Sequence, residues 1–155
     1  MKISVVAMGK MRDERFGALA REYRERLAHH LPVEDVEVRE VRVSGNDVAG
    51  ALAEEAEAMR RASPEPALTI AMTEGGKQID SAQLAEWMDD WMVGGQRHVV
   101  FYIGSAHGLD RQFIKSCDRR LSLSKMTFPH EMARMMLWEQ LYRAMTIIRG
   151  EPYHK

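Results

Sequence analysis

The chain has a single cysteine, Cys117, among its 155 residues. A lone thiol makes no internal disulfide and has no second sulfur for a cysteine-based metal site, so Cys117 reads as a small core or helix residue. Long apolar runs are also scarce. The opening "MKISVVAMGK" contains a short one, too brief for the hydrophobic segment of a secretory signal and closed by Gly9 and Lys10. It reads as a buried strand, and the expected location is the cytoplasm, with no membrane partner. Glycine-rich nucleotide signatures are missing as well. "IGSAHGLD" lacks the third glycine of a dinucleotide fingerprint, and no Gly-Lys-Ser/Thr ending makes it a phosphate loop, which argues against an NAD enzyme or an ATPase. No second His or Cys stands at a ligand spacing from His107, so no metal is expected.

What is present describes an ordinary folded domain. A chain of this length buries roughly 70% of its unfolded surface, enough for one core. Apolar residues make up 45% and charged residues 29%, with no low-complexity tract and no internal repeat. Residues 1–155 are therefore expected to form a single domain. The net charge of −1 says nothing about an anionic partner, but its distribution is uneven. From Asp110 to Lys155 nine Lys and Arg face five acids, a balance of +4 that leaves −5 on the first 109 residues. Such asymmetry fits an anionic ligand on the C-terminal side, and it fits an incidental solvated face equally well.

Val- and Ile-rich runs alternate with amphipathic stretches along the whole length. Strands are expected over Ile3–Met8, Val36–Val43, Leu68–Met72, His98–Ile103 and Leu121–Leu123. Helices are expected over Glu14–Ala28, Asp47–Arg61, Ser81–Met92, Arg111–Ser116 and His130–Ile148. This alternation predicts an α/β fold, a mostly parallel sheet with flanking helices. Ligands of such sheets bind outside the carboxyl ends of the strands. Three segments lie there: "MTEGGKQ" from Met72, "IGSAHGLD" from Ile103 and "LSKMTFPH" from Leu123. Glycines in these places let backbone approach a ligand, and they also simply turn the chain. "TEGGK" by itself reads as a plain turn.

The final helix is the sharper anomaly. At 100° per residue, Ala133, Leu137, Trp138, Leu141, Ala144, Met145 and Ile148 fill one apolar arc, and His130 and Arg134 project into it. A guanidinium there needs a buried carboxylate or a cavity that an anion enters. Met132, Met135, Met136 and Ile147 form a second apolar set, so the helix is expected to lie between two layers. In a domain this small, another subunit can supply the second layer.

The run "LSLSKMTFPHEMARMMLWEQLYRAMTIIRGEPYHK", with "FYIGSAHGL" before it and "MKISVVAMGK" at the start, resembles the RlmH family of bacterial ribosomal RNA methyltransferases, in the SPOUT superfamily. The resemblance covers the full chain and is most specific from Leu121 to Lys155. It implies a C-terminal trefoil knot, an exception to the rule that connections do not thread loops. It implies a homodimer that uses S-adenosylmethionine to methylate N3 of a pseudouridine in large-subunit (23S) rRNA within the assembled ribosome, and no DNA partner. The implied cofactor residues are Met72, Gly104, Leu123, Ser124, Lys125, Met126, Thr127 and Phe128. Two positions depart from the family pattern. Ser105 stands where a second glycine is common, and Thr73 stands where an acidic residue often follows the strand, with Glu74 next.

Methyl transfer to a ring nitrogen requires in-line approach and loss of the imide proton, so the protein mainly aligns and desolvates. His154 is the leading candidate for a general base, with a reaction that needs none as its rival. Arg134 is expected to act in catalysis by holding phosphate or the uracil carbonyls. Lys155 is expected to bind substrate in the same way, and Tyr153 to stack on a base. Two other readings remain open at this point: an RNA- or ribosome-binding dimer without catalysis, and a small-molecule-binding α/β domain.

Overall fold

A computed structural model describes residues 1–155. Its strands are β1 (Lys2–Met8), β2 (Val33–Val38), β3 (Leu68–Gln78), β4 (His98–Ile103) and β5 (Arg119–Ser122). The helices between and after them are α1 (Glu14–Ala28), α2 (Val48–Arg61), α3 (Ser81–Val93), α4 (Arg111–Ser116) and α5 (His130–Ile148). The strands form one parallel sheet in the order β2-β1-β4-β3-β5. Both faces are covered, as a parallel sheet requires.

Alternation along the strands divides the core in two. Ile3, Val5, Ala7, Val99, Phe101 and Ile103 face the layer of α1, α3 and α5. Val6, Met8, Val100 and Tyr102 face α2 and α4, against Ala56, Met59 and Phe113. Helix α5 packs against both α1 and α3, and none of its residues is fully exposed. The arc expected from its sequence is its core face: Leu137, Trp138, Leu141, Ala144 and Met145 are buried. The Met set is half-buried.

Three strands differ from expectation by more than one residue, and β2 begins at Val33 where Val36 was expected. Strand β2 ends at Val38 because its only partner, β1, stops at Met8, where Gly9 turns the chain away with φ +79°. Residues 39–43 therefore have no ladder to join. Strand β5 begins two residues earlier than expected and ends at Ser122. Strand β3 runs on to Gln78 because "TEGGK" is not a plain turn. Met72 and Lys77 both pair with Leu121, so residues 73–76 are displaced from the ladder before the strand resumes. Gly76 makes this possible: a Cβ there would lie 2.4 Å from the backbone carbon of Leu121.

Candidate active site at the strand ends

The three segments named from the sequence meet around one cleft of about 790 Å³, formed by the start of the displaced segment of β3 and the loops after β4 and β5. The loop after β4 is the tightest of them. A Cβ on Gly104 would sit 2.2 Å from the carbonyl oxygen of Gly108, so only glycine allows the chain to fold back on itself here. Gly108 has φ +84° and donates its N–H to the Ser105 carbonyl at 2.9 Å. Ser105 itself has no positive φ, so the serine in place of a second glycine is unstrained. Its hydroxyl donates to Glu55 at 2.9 Å.

The loop after β5 is organised by its own hydroxyls. Ser122 Oγ donates to the Ser124 carbonyl at 2.8 Å, and Ser124 Oγ accepts the Met126 N–H at 3.0 Å. Thr127 Oγ1 donates to Glu74 at 2.9 Å, tying this loop to the displaced segment of β3. Glu74 thus stands at the cleft. Of the eight expected cofactor residues, Met72, Gly104, Leu123, Ser124, Met126, Thr127 and Phe128 line the cleft. Lys125 does not, and it is exposed. Thr73, Glu74, His107, Arg111 and His130, which the sequence alone does not mark as site residues, also line the cleft.

Arg134 is absent from that lining, which corrects the expectation that its charge faces a ligand. It is 4% exposed, and its guanidinium donates to Asp35 at 2.9 and 2.8 Å and to Glu37 at 3.1 Å. Arg24 reaches the other oxygen of Asp35 at 3.1 Å. The carboxylates come from β2, so the arc residue is balanced within the fold. Glu37 also accepts the Met11 N–H, and Glu131 accepts the Arg12 and Asp13 N–H groups. These contacts pin the segment after β1 beneath the first turns of α5.

The tail residues Tyr153, His154 and Lys155 lie at the far end of α5. Its 19 residues separate them from the cleft by about 28 Å at 1.5 Å per residue. There the Tyr153 ring meets Tyr142 edge-on at 4.9 Å, and its hydroxyl donates to Glu139 at 3.0 Å. Burial, followed by the Tyr23 and Glu139 contacts, pushes the Tyr153 phenol well above its ordinary range. His154 is exposed, with Nδ1 3.5 Å from Arg143, and Lys155 is exposed. Within one chain, then, the cleft and the tail do not meet. No group of three His, Cys, Asp or Glu comes together in a metal-binding arrangement, and no helix is long and apolar enough to cross a membrane.

Comparison with known proteins shows the family. Residues 1–154 match the family described as "Predicted SPOUT methyltransferase". The chain is 41% identical to ribosomal RNA large subunit methyltransferase H of Gemmatimonas aurantiaca, over 100% of both chains. It is 42% identical to the protein of that name from Anaeromyxobacter sp. (strain Fw109-5), again over 100% of both. Among solved structures, a probable methylase family protein from Haemophilus influenzae Rd KW20 superposes with a TM-score of 0.52 at 15% identity, covering 99% of this chain and 70% of that one, which supports the fold alone. Matched from end to end by the family and by relatives above 40% identity, the chain belongs to the ribosomal RNA large subunit methyltransferase H family of SPOUT methyltransferases.

Proposed function

We propose that this protein methylates N3 of a pseudouridine in 23S ribosomal RNA, using S-adenosylmethionine and acting as a homodimer on the assembled ribosome. The observation that carries the reading is the convergence of three strand-end loops on one cleft, in a chain of this family.

The cleft's chemistry suits the cofactor. Met72, Leu123 and Phe128 offer apolar walls for a purine, while Ser124, Thr127 and the backbone beside Gly104 offer hydrogen bonds to its edges and to a ribose. Glu74 places a carboxylate where a cationic ligand enters. When bound, S-adenosylmethionine supplies a methyl group already activated on a sulfonium. The protein's own part is alignment and exclusion of water. Arg134 serves indirectly in this reading, holding the start of α5 and with it His130 and Ala133 at the cleft. His154 takes the imide proton, Tyr153 stacks on a base and Lys155 holds phosphate. Because their own cleft is a helix length away, a second copy of the chain presents them.

In the same reading the Leu123–Pro129 connection belongs to a trefoil knot. Two features support it: α5 follows the edge strand β5 yet lies between α1 and α3, and Gly76 closes tightly over Leu121.

The deciding experiment compares methyl transfer from S-adenosylmethionine to intact 70S ribosomes and to protein-free ribosomal RNA, with the product nucleoside identified by mass. Transfer to ribosomes at N3 of a pseudouridine is the expected result. Binding to ribosomes without transfer would leave a non-catalytic RNA-binding dimer.

A further inference from the structure

Glu55 is a buried acid outside the cleft, and the reaction as proposed makes no use of it. It is 5% exposed on the core face of α2, between Ala51 and Met59. One of its oxygens accepts the Val41 N–H at 3.0 Å, and the other accepts the Ser105 hydroxyl at 2.9 Å. No cation lies within ion-pair distance of it. A carboxylate held only by neutral donors is costly to bury, and removing either donor raises that cost. Both donors lie outside the helices and the sheet: one in the stretch after β2, the other in the loop after β4.

Ser105 follows directly on Gly104, and its carbonyl accepts the Gly108 N–H that closes the loop. Fixing its side chain therefore fixes the turn that shapes the cleft wall. A glycine here would leave one Glu55 oxygen without this donor.

We propose that Ser105 and Glu55 form a clasp that sets the conformation of the Gly104–Gly108 loop and, through it, the affinity of the cleft for the methyl donor. Both are positioning residues. The effect on affinity rests on the cofactor reading above; the effect on the loop does not.

The test uses Ser105→Ala, Ser105→Thr and Glu55→Gln in the full chain. Amide hydrogen exchange over residues 104–109 is read without ligand, S-adenosylmethionine binding by calorimetry, and KM and kcat on ribosomes. Ser105→Ala is expected to speed exchange in the loop, weaken S-adenosylmethionine binding about tenfold, and raise KM for it while kcat at saturation changes little. Ser105→Thr restores the hydroxyl and both readouts. Glu55→Gln, accepting from Val41 and donating to Ser105, keeps the loop protected. Wild-type exchange and affinity in Ser105→Ala overturn the clasp, as does Ser105→Thr behaving like Ser105→Ala. Should the wild type fail to bind S-adenosylmethionine while loop exchange still responds to Ser105→Ala, the cofactor reading falls and the clasp stands.

Discussion

Arg134 shows what a residue's partners decide that its position in a sequence does not. Its place in an apolar arc required a partner, and a ligand or a carboxylate satisfied that requirement equally. Asp35 and Glu37 lie about a hundred positions earlier, on a strand whose ends the sequence leaves open, so nothing local identifies them. The pairing makes a prediction of definite sign. Arg134→Met leaves Asp35 with Arg24 alone, and urea denaturation should show a loss of about 3 kcal/mol, near the low end for breaking a buried pair. A variant as stable as the wild type would refute the structural role. A second titratable group gives a pH signature. Arg15, aided by the Arg15 and Phe16 N–H groups, holds the Asp13 carboxyl at about 2, below its ordinary 3.8. Because the folded value is lowered, Asp13's capping of α1 is fully present above the ordinary carboxylate range and is lost as pH falls toward 2. NMR titration should find its midpoint near 2, and Arg15→Ala should move it upward.

Among the elements, the helices were legible because each carries its periodicity and its stop signals within one short window. Asp80 illustrates this. Its carboxylate accepts the Gln83 N–H at 2.8 Å, and the Gln83 side chain accepts the Asp80 N–H in return, closing a capping box at the start of α3. Asp80→Ala should lower stability by about 1 kcal/mol in chemical denaturation. The strands were harder to bound, because a strand ends where its partner ends. Val41 and Val43 continue the alternation beyond Val38, yet β1 has already turned away at Gly9. "TEGGK" misled in the opposite direction: two adjacent glycines signal a turn, whereas Gly76 is required by the backbone of Leu121 on a different strand. Gly76→Ala is therefore expected to disturb the β3–β5 pairing and reduce S-adenosylmethionine binding. Unaltered binding and melting would show that the two strands separate freely. The cleft was legible for a different reason. Two of its walls follow β4 and β5 and the third follows the stretch of β3 that pairs with β4, all of them parallel, so their convergence follows from topology. Glu55 was missed because an acid in an Ala-rich helix carries no signal until the Ser105 contact is seen.

For the molecule as a whole, the separation of cleft and tail frames a test of whether two copies cooperate. Consider heterodimers pairing a Gly104→Val chain with a chain lacking Tyr153–Lys155. If the tail serves the partner's cleft, the intact tail of the first chain completes the intact cleft of the second, and about half the wild-type methylation remains. Isolated heterodimers without activity, while both parent chains still dimerise, would rule that arrangement out. The position of α5 also bears on how the protein is made. Leu137, Trp138, Leu141 and Ala144 are wholly buried between the sheet and the earlier helices, yet they are synthesised after every strand and helix that they pack against. While α5 is still inside the exit tunnel of the translating ribosome, the nascent chain exposes the surface that this helix will cover and lacks the means to close it. Completion of the core thus waits until α5 emerges, and during that interval an open apolar face is available to other chains and to the chaperones that shield it.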